Sequence, residues 1–205
     1  MEINVLNKSY VCRTKEHLWF QETKDAVLAV GRDELSTAEI SERSENENFF
    51  NAASKSRAKE ISQTVNRRME VIDDGFISYF IMQNIEIQKI LVLIMVMLED
   101  RTFFDFMYEI VREKLIIGDY QLNDAEIIRF IHNLQEKDDK AATWSDASKQ
   151  KLRLYIKNLL RDSGLLEMGK QSSTILRPII TSDFEEFLNN EELIIVKNIL
   201  MGDRA

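Results

Sequence analysis

Residues Thr143–Pro178, TWSDASKQKLRLYIKNLLRDSGLLEMGKQSSTILRP, decide how this chain is read. Ser145 stands directly before an apolar-periodic run, where a serine oxygen satisfies a free N–H of a helix's first turn. Leu152, Ile156 and Leu159 share a face with Leu160 beside them, which predicts a helix from Ser145 to Ser163 with that face inward. Gly164 is the expected stop. Two short strands should follow, near Leu165–Met168 and Ile175–Arg177, joined by Gly-Lys-Gln-Ser-Ser. Seven basic residues (Lys149, Lys151, Arg153, Lys157, Arg161, Lys170, Arg177) face three acidic ones here, whereas the whole chain carries a formal charge of −8. A local reversal of charge on a helix followed by a hairpin points to a polyanion, and duplex DNA suits that shape best.

The same pattern supplies the parts of a winged helix-turn-helix, in which one helix braces a second that enters the major groove. Asn123 to about Gln135, opened by an Asn123/Glu126 capping pair, is the expected brace, followed by a charged loop, Glu136 to Thr143. On the second helix Gln150, Arg153, Lys157 and Arg161 fall opposite the apolar face, with Ser145, Ser148 and Lys149 at its N-terminus. That end presents free N–H groups and a positive partial charge to a phosphate. Lys170, Gln171, Ser172 and Ser173 form the expected wing tip. Trp144 and the Leu165-Leu166 pair are read as anchors of the motif's core, and Arg177 as either a contact residue or a partner for a C-terminal carboxylate. A Lys/Arg stripe on an amphipathic helix also fits an ordinary solvated face, and the wing is what favours the DNA reading.

Working outward, the chain reads as mainly α, a helical bundle with a small β-hairpin wing near the C-terminus. Three regions are expected: an N-terminal helical, helix-turn-helix-like region (1–75), a central bundle (76–120) and a C-terminal winged-helix region with acidic terminal helices (121–205). A helix from about His17 to Val30 should stop at Gly31. Ser36 with Glu39 makes a capping box for a second helix. A third, Ser54 to about Ile72, should end at Asp73-Asp74-Gly75. Phe76 to Gln83, Ile85 to Leu98 and Thr102 to Ile117 follow as bundle helices, broken at Gly118, and Ser182 to Leu200 gives one or two acidic ones. The first fifteen residues alternate weakly, as a short strand or an extended arm does.

The third helix is a second basic patch, with Lys55, Arg57, Lys59, Arg67 and Arg68 against Glu60. It follows a capped helix across a loop, so it too can be a reading helix, or a solvent-facing helix neutralised by acidic neighbours. By contrast, Glu22 to Glu47 holds eight acidic and three basic residues, and Asp183 onward six and two. These stretches repel phosphate and must face away from any bound DNA.

The 205 residues suffice for one sizeable core, and a single proline and six glycines leave long helices uninterrupted. One cysteine, Cys12, excludes an internal disulfide and a Cys-rich zinc site. The most apolar run, Ile90 to Leu98, is nine residues, short of the ~20 needed to span a bilayer. With no signal pattern at the N-terminus, the cytoplasm is the default location. No phosphate loop, dinucleotide fingerprint, HExxH or GxSxG elbow occurs. His17 and His132 are read as partly buried helical residues. No catalytic residue, metal, cofactor or small-molecule substrate is expected.

Several short patterns stand out: Trp19-Phe20-x-Glu22-Thr23, Ser36-Thr37-x-Glu39-Ile40, Asn48-Phe49-Phe50, and Ser56-Arg57 leading to Arg67-Arg68. Thr143-Trp144-Ser145, Asp162-Ser163-Gly164-Leu165-Leu166 and Ile175-Leu176-Arg177-Pro178 join them toward the C-terminus. Together they resemble the BrxA family of bacterial BREX phage-exclusion systems, and the likeness covers nearly the whole chain. The resemblance implies a mostly helical protein with winged-helix character that binds double-stranded DNA and assists phage defence without catalysis. The family's described likeness to the NusB antitermination fold adds structured RNA as an alternative ligand. A scaffold whose acidic surfaces dock other BREX proteins is the remaining alternative.

Overall fold

The computed structural model describes residues 4–170 and 172–204. Its centre is α5 (Ile85–Glu99), capped by Asn84. Every residue from Leu91 to Met97 is fully buried, so this helix is apolar on all sides rather than along one stripe. Each such side chain contributes about 1.5–3 kcal/mol of burial free energy, and the rest of the chain wraps this rod.

An extended arm opens the chain after a 3₁₀ turn, Val5–Asn7. It is tied to the end of α5 and the start of α6 (Arg101–Phe106). Val11 N donates to Thr102 Oγ1 at 3.0 Å, and Thr102 Oγ1 donates to Val11 O at 2.8 Å. The arm leads into α1 (Phe20–Gly31), which starts three residues later than the periodicity predicts because Trp19 takes a left-handed conformation at its N-cap. The Ser36/Glu39 capping box forms and opens α2 (Thr37–Asn46), while Ser54 caps α3 (Lys55–Met69). These three helices pack together, and α1 and α3 pack onto α5.

Two stops are read differently by the structure. Gly31 is the last helical residue of α1 and the left-handed residue is Asp33. A Cβ at Gly31 would lie 2.3 Å from Ile81 Cδ1 and 2.6 Å from Ile77 Cγ2, so glycine serves close approach to α4 (Asp74–Met82). Asp73 starts α4 rather than ending α3: its carboxylate accepts from Phe76 N at 3.0 Å.

The run from Arg101 to Ile117 is helical throughout, but Met107–Arg112 forms a wider π turn before α7 (Glu113–Ile117). The C-terminal α12 (Ile194–Met201) packs against that turn, and Asp203 O accepts from Arg112 Nε at 3.0 Å. Before it, α11 (Ser182–Asn190) stacks Phe187 on Tyr79, ring centroids 3.9 Å apart.

After Gly118 the chain makes β1 (Gln121–Leu122), a strand too short for periodicity to reveal. Then come α8 (Asp124–Lys137), α9 (Asp139–Ala142), α10 (Asp146–Asp162), β2 (Leu166–Glu167) and β3 (Ser173–Ile175). The expected loop from Glu136 to Thr143 is therefore mostly helical. Asp138 caps α9 at Ala141 N, 2.8 Å, and Ala141 is fully buried. The strands form one antiparallel sheet in the order β1-β3-β2. β2 is shorter than predicted and β3 lies two residues earlier than predicted, so Ser173 is a buried strand residue, not part of an exposed tip. The core of helices and sheet is continuous, with buried members from Val5 to Leu200.

Candidate nucleic-acid interface

Ser145 caps α10 as the sequence predicts: its Oγ accepts from Ser148 N at 3.2 Å. At the other end Gly164 has φ +84°, a conformation that costs any residue with a Cβ. Leu165 N returns to Leu160 O at 2.7 Å and Gly164 N to Arg161 O at 3.0 Å, the paired bonds of a Schellman stop. Leu165 and Leu166 are then buried at the foot of the hairpin. Leu152, Ile156, Leu159 and Leu160 are all fully buried, joined by Tyr155.

The face left to solvent differs from the one expected. Gln150, Lys151, Leu154 and Arg161 are exposed, with Ala147 beside them toward the N-terminus. Leu154, a large apolar side chain, is 49% exposed. Gln150 and Arg161 lie on this face as expected, and Lys151 joins them because the exposed face sits about one position round from the expected one. Arg161 pairs with its neighbour Asp162 at 2.8 Å. Lys149 lies along the helix with its Nζ 2.7 Å from Asp146, and Ser148 is half-buried.

Arg153 and Lys157 are not on the free face. Both turn toward the start of α8, where one carboxylate, Asp124, takes Arg153 Nη1 and, at 2.7 Å, Lys157 Nζ. Burial, and then the charge of Arg153, push the Lys157 amine below its ordinary pKa. The α8 start is itself held by Glu126, which accepts from Asn123 N at 2.8 Å and pairs with Lys114 at 2.7 Å. Lys170 is exposed at the hairpin turn; Gln171 lies outside the described residues. Ser172 Oγ donates to Gln121 Oε1 at 2.7 Å, so it braces the sheet. Arg177 pairs with no carboxylate among the described residues: it donates to Leu115 O at 2.8 Å and lies over Tyr120.

The second basic helix, α3, divides in two. Lys55 and Lys59 at its front are exposed, with no carboxylate paired to them among the described residues. Arg57 stacks over Trp19, 4.8 Å from the ring centroid, and pairs with Glu60 at 2.9 Å. At its back, Arg68 is fully buried and cannot meet a phosphate. Its guanidinium donates to Leu18 O, to His17 O at 2.7 Å and to Thr23 Oγ1 at 2.9 Å. Arg67 bridges Glu16 at 2.8 Å and Glu99 at 3.2 Å.

Arg67 thereby joins a buried polar cluster. Arg13 of the arm reaches Glu99 at 2.9 Å and Asp100 at 3.3 Å, and Tyr155 of α10 donates to Asp100 at 3.4 Å. Burial, only partly offset by Arg13, raises the Asp100 carboxyl from 3.8 to about 7. Both basic helices pack on α5, and this cluster is where their inner sides converge. His17 and His132 are exposed rather than partly buried. Among the described residues no group of three or more His, Cys, Asp or Glu side chains is placed to hold a metal ion, and no helix is long and apolar enough to cross a membrane.

Comparison with known proteins agrees with this architecture. Residues 11–192 match the family described as BrxA. The chain belongs to the BrxA family. A "BREX protein BrxA" from Bacillus cereus (strain H3081.97) is 34% identical over 186 residues, covering 91% of this chain and 92% of the relative. An uncharacterized protein from Magnetospirillum magneticum, solved as a crystal structure, superposes with a TM-score of 0.76. It covers 95% of this chain and all of its own at 14% identity, which shows a shared fold alone.

Proposed function

We propose that this chain binds double-stranded DNA as an accessory component of a BREX phage-defence system, working in the cytoplasm without a catalytic step of its own. Helix α10 is the groove-entering helix and the β2–β3 hairpin its wing. One observation carries the reading: the order of elements around α10. A strand, β1, precedes the brace α8 and the reader α10, and the hairpin that follows folds back so that β3 pairs with β1. This ties the hairpin to the base of the two-helix unit, which is what a wing beside a groove-entering helix requires.

The free face of α10 supports the same reading. Gln150, Lys151 and Arg161 are residue types that hydrogen-bond base edges or phosphates, and Ala147 and Leu154 suit contact with a thymine methyl. Lys170 lies where a wing meets the neighbouring backbone. The BREX setting follows from family membership and from the name of the B. cereus relative. Other BREX components are the protein partners that setting provides.

A gel shift with duplex DNA and with structured RNA, at two salt concentrations, tests the reading. Duplex binding that weakens steeply with salt is expected. Lys151→Glu combined with Arg161→Glu should lower affinity roughly tenfold or more. Preference for RNA, or no nucleic-acid binding with co-purification of another defence subunit, would replace it.

A further inference from the structure

Asp124 is the first residue of α8, and its carboxylate reaches across to α10 rather than along its own helix. There it is shared by two cations four positions apart, Arg153 and Lys157. The three side chains are not equally accessible. Asp124 is 43% exposed, against 19% for Arg153 and 14% for Lys157. An approaching polyanion therefore meets the acid before it meets either base. Arg153 Nε also donates to Gln150 Oε1 at 3.2 Å, so the cluster borders the free face of α10 directly.

A carboxylate bridging an arginine and a lysine offers these side chains the same kind of anionic oxygen acceptor as a backbone phosphate. We infer that Asp124 is an internal phosphate surrogate that sets the strength and salt dependence of binding through α10. The inference rests on the reading of α10 as the nucleic-acid-facing helix. In the free protein Asp124 neutralises one of the two charges and holds both side chains against α8. Contact with a phosphate then requires the cations to leave Asp124, and the vacated carboxylate repels the incoming anion. The arrangement suits a protein that must bind duplexes without being trapped on every stretch of them. It also reconciles a basic helix with an acidic chain, because the strongest pair of cations is restrained until a ligand competes for it.

The test measures binding of a labelled random-sequence duplex to the full chain and to Asp124→Asn across a salt series. Asparagine keeps the size of aspartate and leaves the Asn123/Glu126 cap of α8 untouched, and Asp124→Ser serves as a second variant with a shorter side chain. Both should bind about tenfold more tightly, with the log–log salt slope steeper by about one to two because Arg153 and Lys157 now release counterions from DNA. Adding Lys157→Glu to Asp124→Asn should erase the gain. Equal or weaker binding by both variants, with the parent still binding, overturns the surrogate while leaving the α10 interface standing. A gain without a steeper slope overturns it as well. No binding by parent or variants overturns the surrogate and the interface together.

Discussion

Helices α3 and α10 look alike in sequence, each capped by serine and each carrying a run of Lys and Arg, yet the fold uses their charges in opposite ways. On α3 the last-turn arginines face inward. Arg68 is entirely buried, holding the arm carbonyls of His17 and Leu18, and Arg67 bridges Glu16 and Glu99. On α10 the charges stay near the surface: Lys151 has no paired carboxylate among the described residues, Lys149 and Arg161 pair with Asp146 and Asp162 of their own helix, and Arg153 and Lys157 are held by the half-exposed Asp124. A basic stripe is thus mortar in one helix and a candidate interface in the other. The difference lies in what packs against each last turn: a polar arm against α3, and the sheet and α8 against α10.

The sharpest way to break this comparison is to remove the mortar. Arg68→Ala leaves the buried Leu18 carbonyl, the part-buried His17 carbonyl and the Thr23 hydroxyl without their donor, which should cost about 3–5 kcal/mol in urea unfolding. Lys151→Glu with Arg161→Glu, by contrast, should change stability by no more than about 0.5 kcal/mol while weakening DNA binding. Equal destabilisation by the two would show that the helices are not used differently.

Next in size is the acid behind both helices. The unfolded chain releases the Asp100 proton near 3.8 and the folded protein near 7. Between those values the folded state holds more protons, so this group's contribution to stability falls as pH rises from about 4 to about 7. Acting alone it would remove on the order of 4 kcal/mol. Asp100→Asn also takes a partner from Arg13, so a smaller net gain of about 2 kcal/mol is expected at pH 8, and none near pH 4. The difference between the two unfolding profiles is the measurement. A difference that does not vary with pH would show Asp100 to be ionised throughout.

How much of this was legible beforehand depends on whether the signal was local. The starts of α2, α3, α8 and α10 were, because Ser36, Ser54 and Ser145 each accept from an N–H three residues on and Glu126 reaches back to Asn123 N. The inward face of α10 was, because its period is intrinsic to the helix. The fate of Arg68 was not: its partners lie 45 to 51 residues upstream, two in the arm and one in α1, and no local pattern links them to α3. Asp124 was hidden for the same reason. It reads as a helix-opening acid, and only the crossing of α8 and α10 gives it two cations. Strand β1 is two residues long, too few for alternation to register, although it anchors the hairpin.

A smaller effect separates the two helix ends. Gly164→Ala places a Cβ at φ +84° with open space around it, so the cost is conformational rather than steric, about 1 kcal/mol. Because Gly164 turns the chain from α10 into β2, this variant should disturb the hairpin before the bundle. Hydrogen exchange should show Leu166 and Ile175 amides losing protection while those of Leu91 to Met97 keep it. Uniform loss would mean that hairpin and core unfold as one unit.

The smallest expected effect asks whether the comparison holds along the whole of α3. Its front half keeps Lys55 and Lys59 exposed, so only the back half is committed to the core. If that front half adds phosphate contacts to those of α10, Lys55→Glu with Lys59→Glu should weaken duplex binding about threefold and flatten the salt slope by about one. Both changes should be smaller than those of the Lys151/Arg161 pair, because the front of α3 lacks a hairpin to fix its position against the backbone. Stability should stay within about 0.5 kcal/mol, since neither lysine has a partner to lose among the described residues. Unchanged affinity would confine the interface to α10 and its hairpin, and α3 would then be structural over its full length. An effect as large as that of the α10 pair would instead make the two helices equal contributors, and the contrast between them would shrink to the two arginines of a single turn.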